Sequence, residues 1–243
     1  MIKRKSLLQG LPAALLVLSA AISIYAQNAG GKHNSRPQQV TPAPTANIAV
    51  NTDAVKYSYE FTQPKFYVKH IVIEHDANGR GTVTFERLNE DVPVTEPLEL
   101  SPAAWSRISA AWQGLGFLES NEDYQSNKQF PHLGTMKIGM ARGDRKRVAE
   151  FNWTNNRDAE IIINEYRKAA DQAILVFDIG VARENQPLNA PKLMETMESL
   201  LKRDGLSDPH QLLKLLNDLS TDEHVPLIAR NHALRLIKQI EKK

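Results

Sequence analysis

Two kinds of apolar periodicity alternate twice between Lys65 and Val176, and this alternation restricts the fold more than any other feature of the chain. Lys65 to His75 carries Phe66, Tyr67, Val68, Ile71, Val72 and Ile73, a strand-type composition. Val83 and Phe85 then alternate with Thr82, Thr84 and Glu86, as in a half-buried strand. Between them, Asp76-Ala77-Asn78-Gly79-Arg80-Gly81 is turn chemistry, because Gly and Asn accept positive φ at little cost. The segment predicts a β-hairpin. Ser101-Pro102 is a helix start, and Trp105, Ile108, Trp112 and Leu115 share one helical face before Gly116 stops it. A second hairpin is predicted from Thr135 to Ala141 and Val148 to Trp153, turning at Arg142-Gly143-Asp144. Asn155 with Asp158 resembles a capping box, opening a helix with Ile162, Tyr166, Ala169, Ala173 and Val176 inward. Ile174 to Val181 has a strand-like composition but no preceding turn, so it reads as the end of that helix.

From Pro187 the pattern is helical throughout. Leu193, Met197, Leu200 and Leu201 form one face, with Gly205 at a C-cap position. Asp208-Pro209 opens a second helix with Leu212, Leu213, Leu216 and Leu219, and Ser220 with Glu223 predicts a third. The expected class is α+β: two antiparallel β-hairpins with two helices on one face, followed by a C-terminal all-helical region. The expected boundaries are 54–186 for the α+β domain and 187–243 for the helical region.

The run from Phe66 to Phe85, then Leu98-Glu99-Leu100-Ser101-Pro102, then Gly116-Phe117-Leu118 resembles exported bacterial proteins of unknown function built on a hairpin-helix-hairpin-helix unit. The resemblance implies fold and location, and brings no catalytic residues with it.

The N-terminus supports the same location. Lys3-Arg4-Lys5, an apolar stretch from Leu11 to Ala26 and the small Ala26 are the parts of a secretory signal peptide over residues 1–26. Residues 27–53 read as a disordered linker rich in Gly, Asn, Gln and Pro. The expectation is export, periplasmic or secreted; the alternative is a retained N-terminal anchor, the one route to a membrane. Removing Lys3, Arg4 and Lys5 leaves 27 Lys+Arg against 28 Asp+Glu. A near-neutral chain offers no global attraction for nucleic acid. The absence of Cys excludes disulfides and thiolate chemistry, so the core alone must stabilise the fold.

No cofactor or metal motif is present in the sequence. Asp76 to Arg87 begins like a calcium loop, but Arg80 and Arg87 stand where oxygen ligands belong, so it reads as a hairpin turn. The best acid/base candidate is His75, flanked by Glu74 and Asp76, with His132 as a partner from a loop. His70 is an odd number of residues from His75 and faces the other side of a strand. Glu119, Glu122 and Asp123 read as an exposed acidic loop, and Arg142 with Arg145-Lys146-Arg147 as a charged hairpin tip. Trp105 and Trp112 read as core. Without a catalytic constellation, the expected function is a non-catalytic binding or interaction module of the cell envelope, taking an envelope or extracellular protein or ligand. Two alternatives stand beside it: a small hydrolase using His75 with a nearby carboxylate, and a helical docking scaffold.

Overall fold

A computed structural model describes residues 54–242 of the chain. The expected signal peptide and linker lie outside the described residues. Six strands are present: β1 (Val55–Thr62), β2 (Val68–Asp76), β3 (Arg80–Arg87), β4 (Val94–Glu99), β5 (Thr135–Arg142) and β6 (Arg145–Phe151). Five helices accompany them: α1 (Pro102–Leu115), α2 (Arg157–Asn185), α3 (Ala190–Lys202), α4 (Leu213–Thr221) and α5 (Leu227–Ile240). The class is α+β, with the helices concentrated in the C-terminal half. The strands form one antiparallel sheet in the order β4-β3-β2-β1-β5-β6.

The two expected hairpins are β2–β3 and β5–β6, but they do not stand apart. β1 lies between them and joins them, pairing with β2 on one side and β5 on the other. Its sequence alternates Val55, Tyr57, Tyr59 and Phe61 with Lys56, Ser58, Glu60 and Thr62, a period-2 signal that sequence reasoning passed over. Tyr57, Tyr59 and Phe61 stand opposite His75, Ile73 and Ile71 of β2. On the other side they meet Met140, Ile138 and Met136 of β5. These side chains form the floor on which α1 and α2 pack. The other face presents Lys56, Ser58, Glu60, Glu74, Thr82 and Thr84, as expected of an antiparallel sheet wet on one side. β4 also escaped the sequence reading. It carries Pro97, which is tolerated because β4 is an edge strand.

The predicted turns and caps are partly shifted. Gly79 (φ 74°) closes the β2–β3 turn, while the Asp76 carboxylate accepts from the backbone N–H groups of Asn78 and Arg80 at 2.8 and 3.0 Å. The first calcium-like residues are thus occupied in holding a turn. The Ser101 hydroxyl caps α1 by accepting from the Ala104 N–H, a contact of about 1 kcal/mol, and Gly116 ends α1 in the left-handed region at φ 51°. α2 is capped by Asn156 rather than Asn155, with its side-chain oxygen accepting from Asp158 and Ala159. The left-handed residue after α3 is Asp204 rather than Gly205. The Gly205 N–H then reaches back to the Leu200 carbonyl at 2.8 Å. Ser220 belongs to the last turn of α4, and Pro226 precedes α5, so the predicted Ser220 capping box is not formed.

Ile174 to Val181 is helical, inside α2. That helix is 29 residues long and serves two cores. Ile162, Tyr166 and Ala169 pack on the sheet, whereas Leu175 and Ile179 join α3, α4 and α5 in a second cluster around Met197, Leu216, Ala233 and Leu236. None of the helices among the described residues is long and apolar enough to cross a membrane.

Candidate functional site

His75 is buried on the helix-facing side of β2 and both of its ring nitrogens are engaged. Nδ1 lies 2.7 Å from the Asp76 carbonyl, which can only accept, so the proton resides on Nδ1. Nε2 is then an acceptor, and the Tyr166 hydroxyl donates to it at 2.7 Å. The Trp112 indole N–H donates to the same hydroxyl at 3.2 Å. The chain Trp112–Tyr166–His75–Asp76 ties α1, α2 and β2 together through groups withdrawn from water. Burial lowers the His75 pKa, opposed by the Asp76 carbonyl and carboxylate. Tyr57 stacks on the imidazole at 5.1 Å and Trp105 meets it edge-on at 5.1 Å.

The other acid/base candidates are not aligned with that imidazole. Glu74 faces solvent on the opposite side of the strand, and the Asp76 carboxylate holds the turn. A cavity of about 390 Å³ at this end of the sheet is bordered by His75, Glu74 and Asp76, with Lys56, Arg80 and Lys146. No lone pair of His75 is free to act in it. His132 is exposed on a short 3-10 turn (Pro131–Leu133) near the other end of β1, where its carbonyl accepts from Gln63 Nε2 at 2.8 Å. Tyr57, beside His75, and Gln63, beside His132, are six residues apart, roughly 20 Å along the strand direction. His70 lies on the wet face between Glu60 and Glu86, at 3.3 and 3.1 Å. Among the described residues there is no group of three His, Asp or Glu side chains placed to hold a metal.

The basic run of the second hairpin has a different role from the expected one. Arg145-Lys146-Arg147 lies within β6, and the tip is Gly143-Asp144 alone. Arg147 turns toward the helix side and donates to the carbonyls of Phe117 and Glu122 at 2.7 and 2.6 Å and to the Tyr124 hydroxyl at 3.2 Å. Its guanidinium lies over the Phe117 ring at 4.5 Å. Arg145 reaches the Leu118 carbonyl and the Glu119 carboxylate. The two arginines pin the loop that carries Glu119, Glu122 and Asp123. The acidic knot is therefore part of a braced loop: Glu122 accepts from Asn156 and Asp123 from the Gln125 N–H.

The largest concave feature lies elsewhere. α2 presents Glu160, Ile163, Asn164, Arg167 and Asp171 in one stripe, and this stripe stands over the ends of β1, β2 and β5. Between them is a cleft of about 750 Å³, within the size range of small-molecule sites. Its floor is apolar, from Phe61, Ile71, Met136 and Ile163, with Tyr59 beneath. Phe66, Tyr67 and Trp153 stand exposed at its rim.

Comparison with models of protein families and with curated proteins finds no match for the chain.

The polar groups of the cleft are few. The Tyr59 hydroxyl is fully buried and has no hydrogen-bond partner, and burial pushes its pKa up to about 12. Arg167 is near enough to act on that hydroxyl electrostatically but does not complete a hydrogen bond to it. The guanidinium instead lies over the Phe61 ring at 5.6 Å and donates to the thioether of Met136 at 3.4 Å, a weak acceptor. Asn152, part of a sequence that spells a glycosylation sequon, uses its side-chain oxygen to accept from the Phe130 N–H at 3.0 Å and borders the cleft. The strand ends and a helix stripe combine to form this site, from residues up to 112 positions apart. Only the aromatic run Phe66-Tyr67 and the lone Trp153 gave a local hint of it.

Proposed function

We propose that the protein is a non-catalytic binding module of the cell envelope, and that it binds a small, largely apolar ligand in the cleft between α2 and the ends of β1, β2 and β5. The observation that carries this reading is the cleft itself: an apolar floor, an aromatic rim and a guanidinium laid on the floor, with no histidine in the lining. A nucleophile needs a base within hydrogen-bond reach, and the cleft pairs none. The best acid/base residue of the sequence, His75, is withdrawn into the core on both nitrogens. The location rests on the reading of residues 1–26 as a signal peptide.

Titration of the purified protein with the neutral fluorescent dye Nile red tests the reading. A saturable, single-site rise in emission is expected. Asn164→Trp, which places a large ring at the exposed mouth of the cleft, should abolish it. Leu234→Trp, on α5 far along the chain, should leave it unchanged. Absence of saturable binding, or binding indifferent to Asn164→Trp, overturns the proposal.

A further inference from the structure

We propose that the ligand is a monocarboxylic amphiphile, its hydrocarbon body lying on Phe61, Ile71, Met136 and Ile163 and its carboxylate held by the guanidinium of Arg167. The inference rests on the cleft being a ligand site and names the class of molecule that fits it. Arg167 is the charge placed against the apolar floor. Its contacts are the Phe61 ring and the Met136 sulfur, and among the described residues it has no carboxylate at ion-pair distance. Asp171, one turn further along α2, acts on it only at longer range. A guanidinium offers five donors in a planar fork that matches a carboxylate with two parallel hydrogen bonds. Here an aromatic ring and a thioether occupy one side of that fork and leave the rest without a protein acceptor.

The Tyr59 hydroxyl supports the same head group. It is buried, unpaired and close to Arg167, and as a phenol held protonated it is a donor. A carboxylate drawn to the guanidinium brings an acceptor toward both groups. Water alone does not explain the pairing of an apolar floor with two unsatisfied donors, since a polar ligand would leave the floor uncovered. Glu160 and Asp171 stand in the same α2 stripe, at the mouth. They disfavour a second negative charge on the ligand, which is why the proposal names a monoacid.

Displacement of Nile red by three ligands with one chain length and different heads decides the matter: decanoate, decanol and decylammonium, each below its aggregation concentration. Decanoate should displace the dye at a concentration at least about tenfold below that of decanol, as expected for a charge-assisted contact in a sheltered site. Arg167→Gln should remove that advantage and leave decanol unchanged. Equal potency of decanoate and decanol, or preference for decylammonium, overturns the head-group assignment while the cleft stays a ligand site. A variant Arg167→Gln that weakens acid and alcohol alike shows the arginine to be part of the wall, and also overturns it. Failure of Nile red itself to bind refutes the binding-module reading instead.

Discussion

Removal of the Tyr166 hydroxyl is the sharpest test of how the two layers are joined. Tyr166 is fully buried on α2, and its oxygen donates to His75 Nε2 at 2.7 Å while accepting from Trp112 Nε1 at 3.2 Å. Tyr166→Phe keeps the ring, its stacking on Tyr59 at 5.4 Å and nearly all of its volume. It leaves an imidazole acceptor and an indole donor unsatisfied in the core. His75 is 4% exposed and Trp112 2% exposed, so neither recovers water as a partner. Each buried orphan costs about 1–3 kcal/mol, giving a loss of roughly 2–6 kcal/mol. Urea denaturation followed by tryptophan fluorescence and circular dichroism should show a lower midpoint with an unchanged m value. The double variant His75→Leu/Tyr166→Phe should lose less than the two single variants together, because removing both partners leaves no imidazole orphan. A loss below about 0.5 kcal/mol for Tyr166→Phe, or additivity in the double variant, refutes the hydrogen-bonded chain as a source of stability.

Two further expectations follow from the same geometry. Burial lowers the folded-state pKa of His75 below its ordinary 6.5, so between the folded value and 6.5 the unfolded chain binds more protons. The stability it contributes is therefore present above pH 6.5 and lost as pH falls below it, by up to about 1.4 kcal/mol per pH unit. The fall in unfolding free energy from pH 7.5 to 5.5 should be smaller in His75→Gln than in the wild type, and equal slopes would exclude His75 as the cause. Arg147→Ala should cost roughly 1–3 kcal/mol and speed amide exchange selectively between Phe117 and Ser126, since it removes the donors that hold that loop; uniform or unchanged exchange contradicts the bracing role.

Much of the architecture could be read locally. A turn needs only a few residues with the right backbone freedom, and Asp76 to Gly81 provides them. A helix start needs one capping side chain and a fixed φ, and Ser101-Pro102 supplies both. The alternation in β1 was equally visible but lay beside a polar, Pro-containing segment and had no turn to announce a hairpin partner. β4 was hidden for a different reason: Pro97 argues against a strand unless the strand is known to be an edge. The shifted caps at Asn156 and Asp204 show the limit of local signals, since neighbouring Asn and Gly residues satisfy the same spacing rules.

By itself, then, the sequence determined the class of the fold, the positions of the hairpin turns and the helical character of the last third. These are set by backbone propensity and by periodicities that close within one or two turns of chain. The tertiary structure alone decided what the candidate residues do. His75 looked like a base because its neighbours in sequence are acids, yet its partner is Tyr166, 91 residues away. Arg147 looked like solvent-facing charge, yet it binds carbonyls 25 and 30 residues back. The cleft exists only where α2 stands over three strand ends. Concavity and hydrogen-bond pairing are properties of surfaces brought together from distant parts of the chain, and no short window of residues contains them.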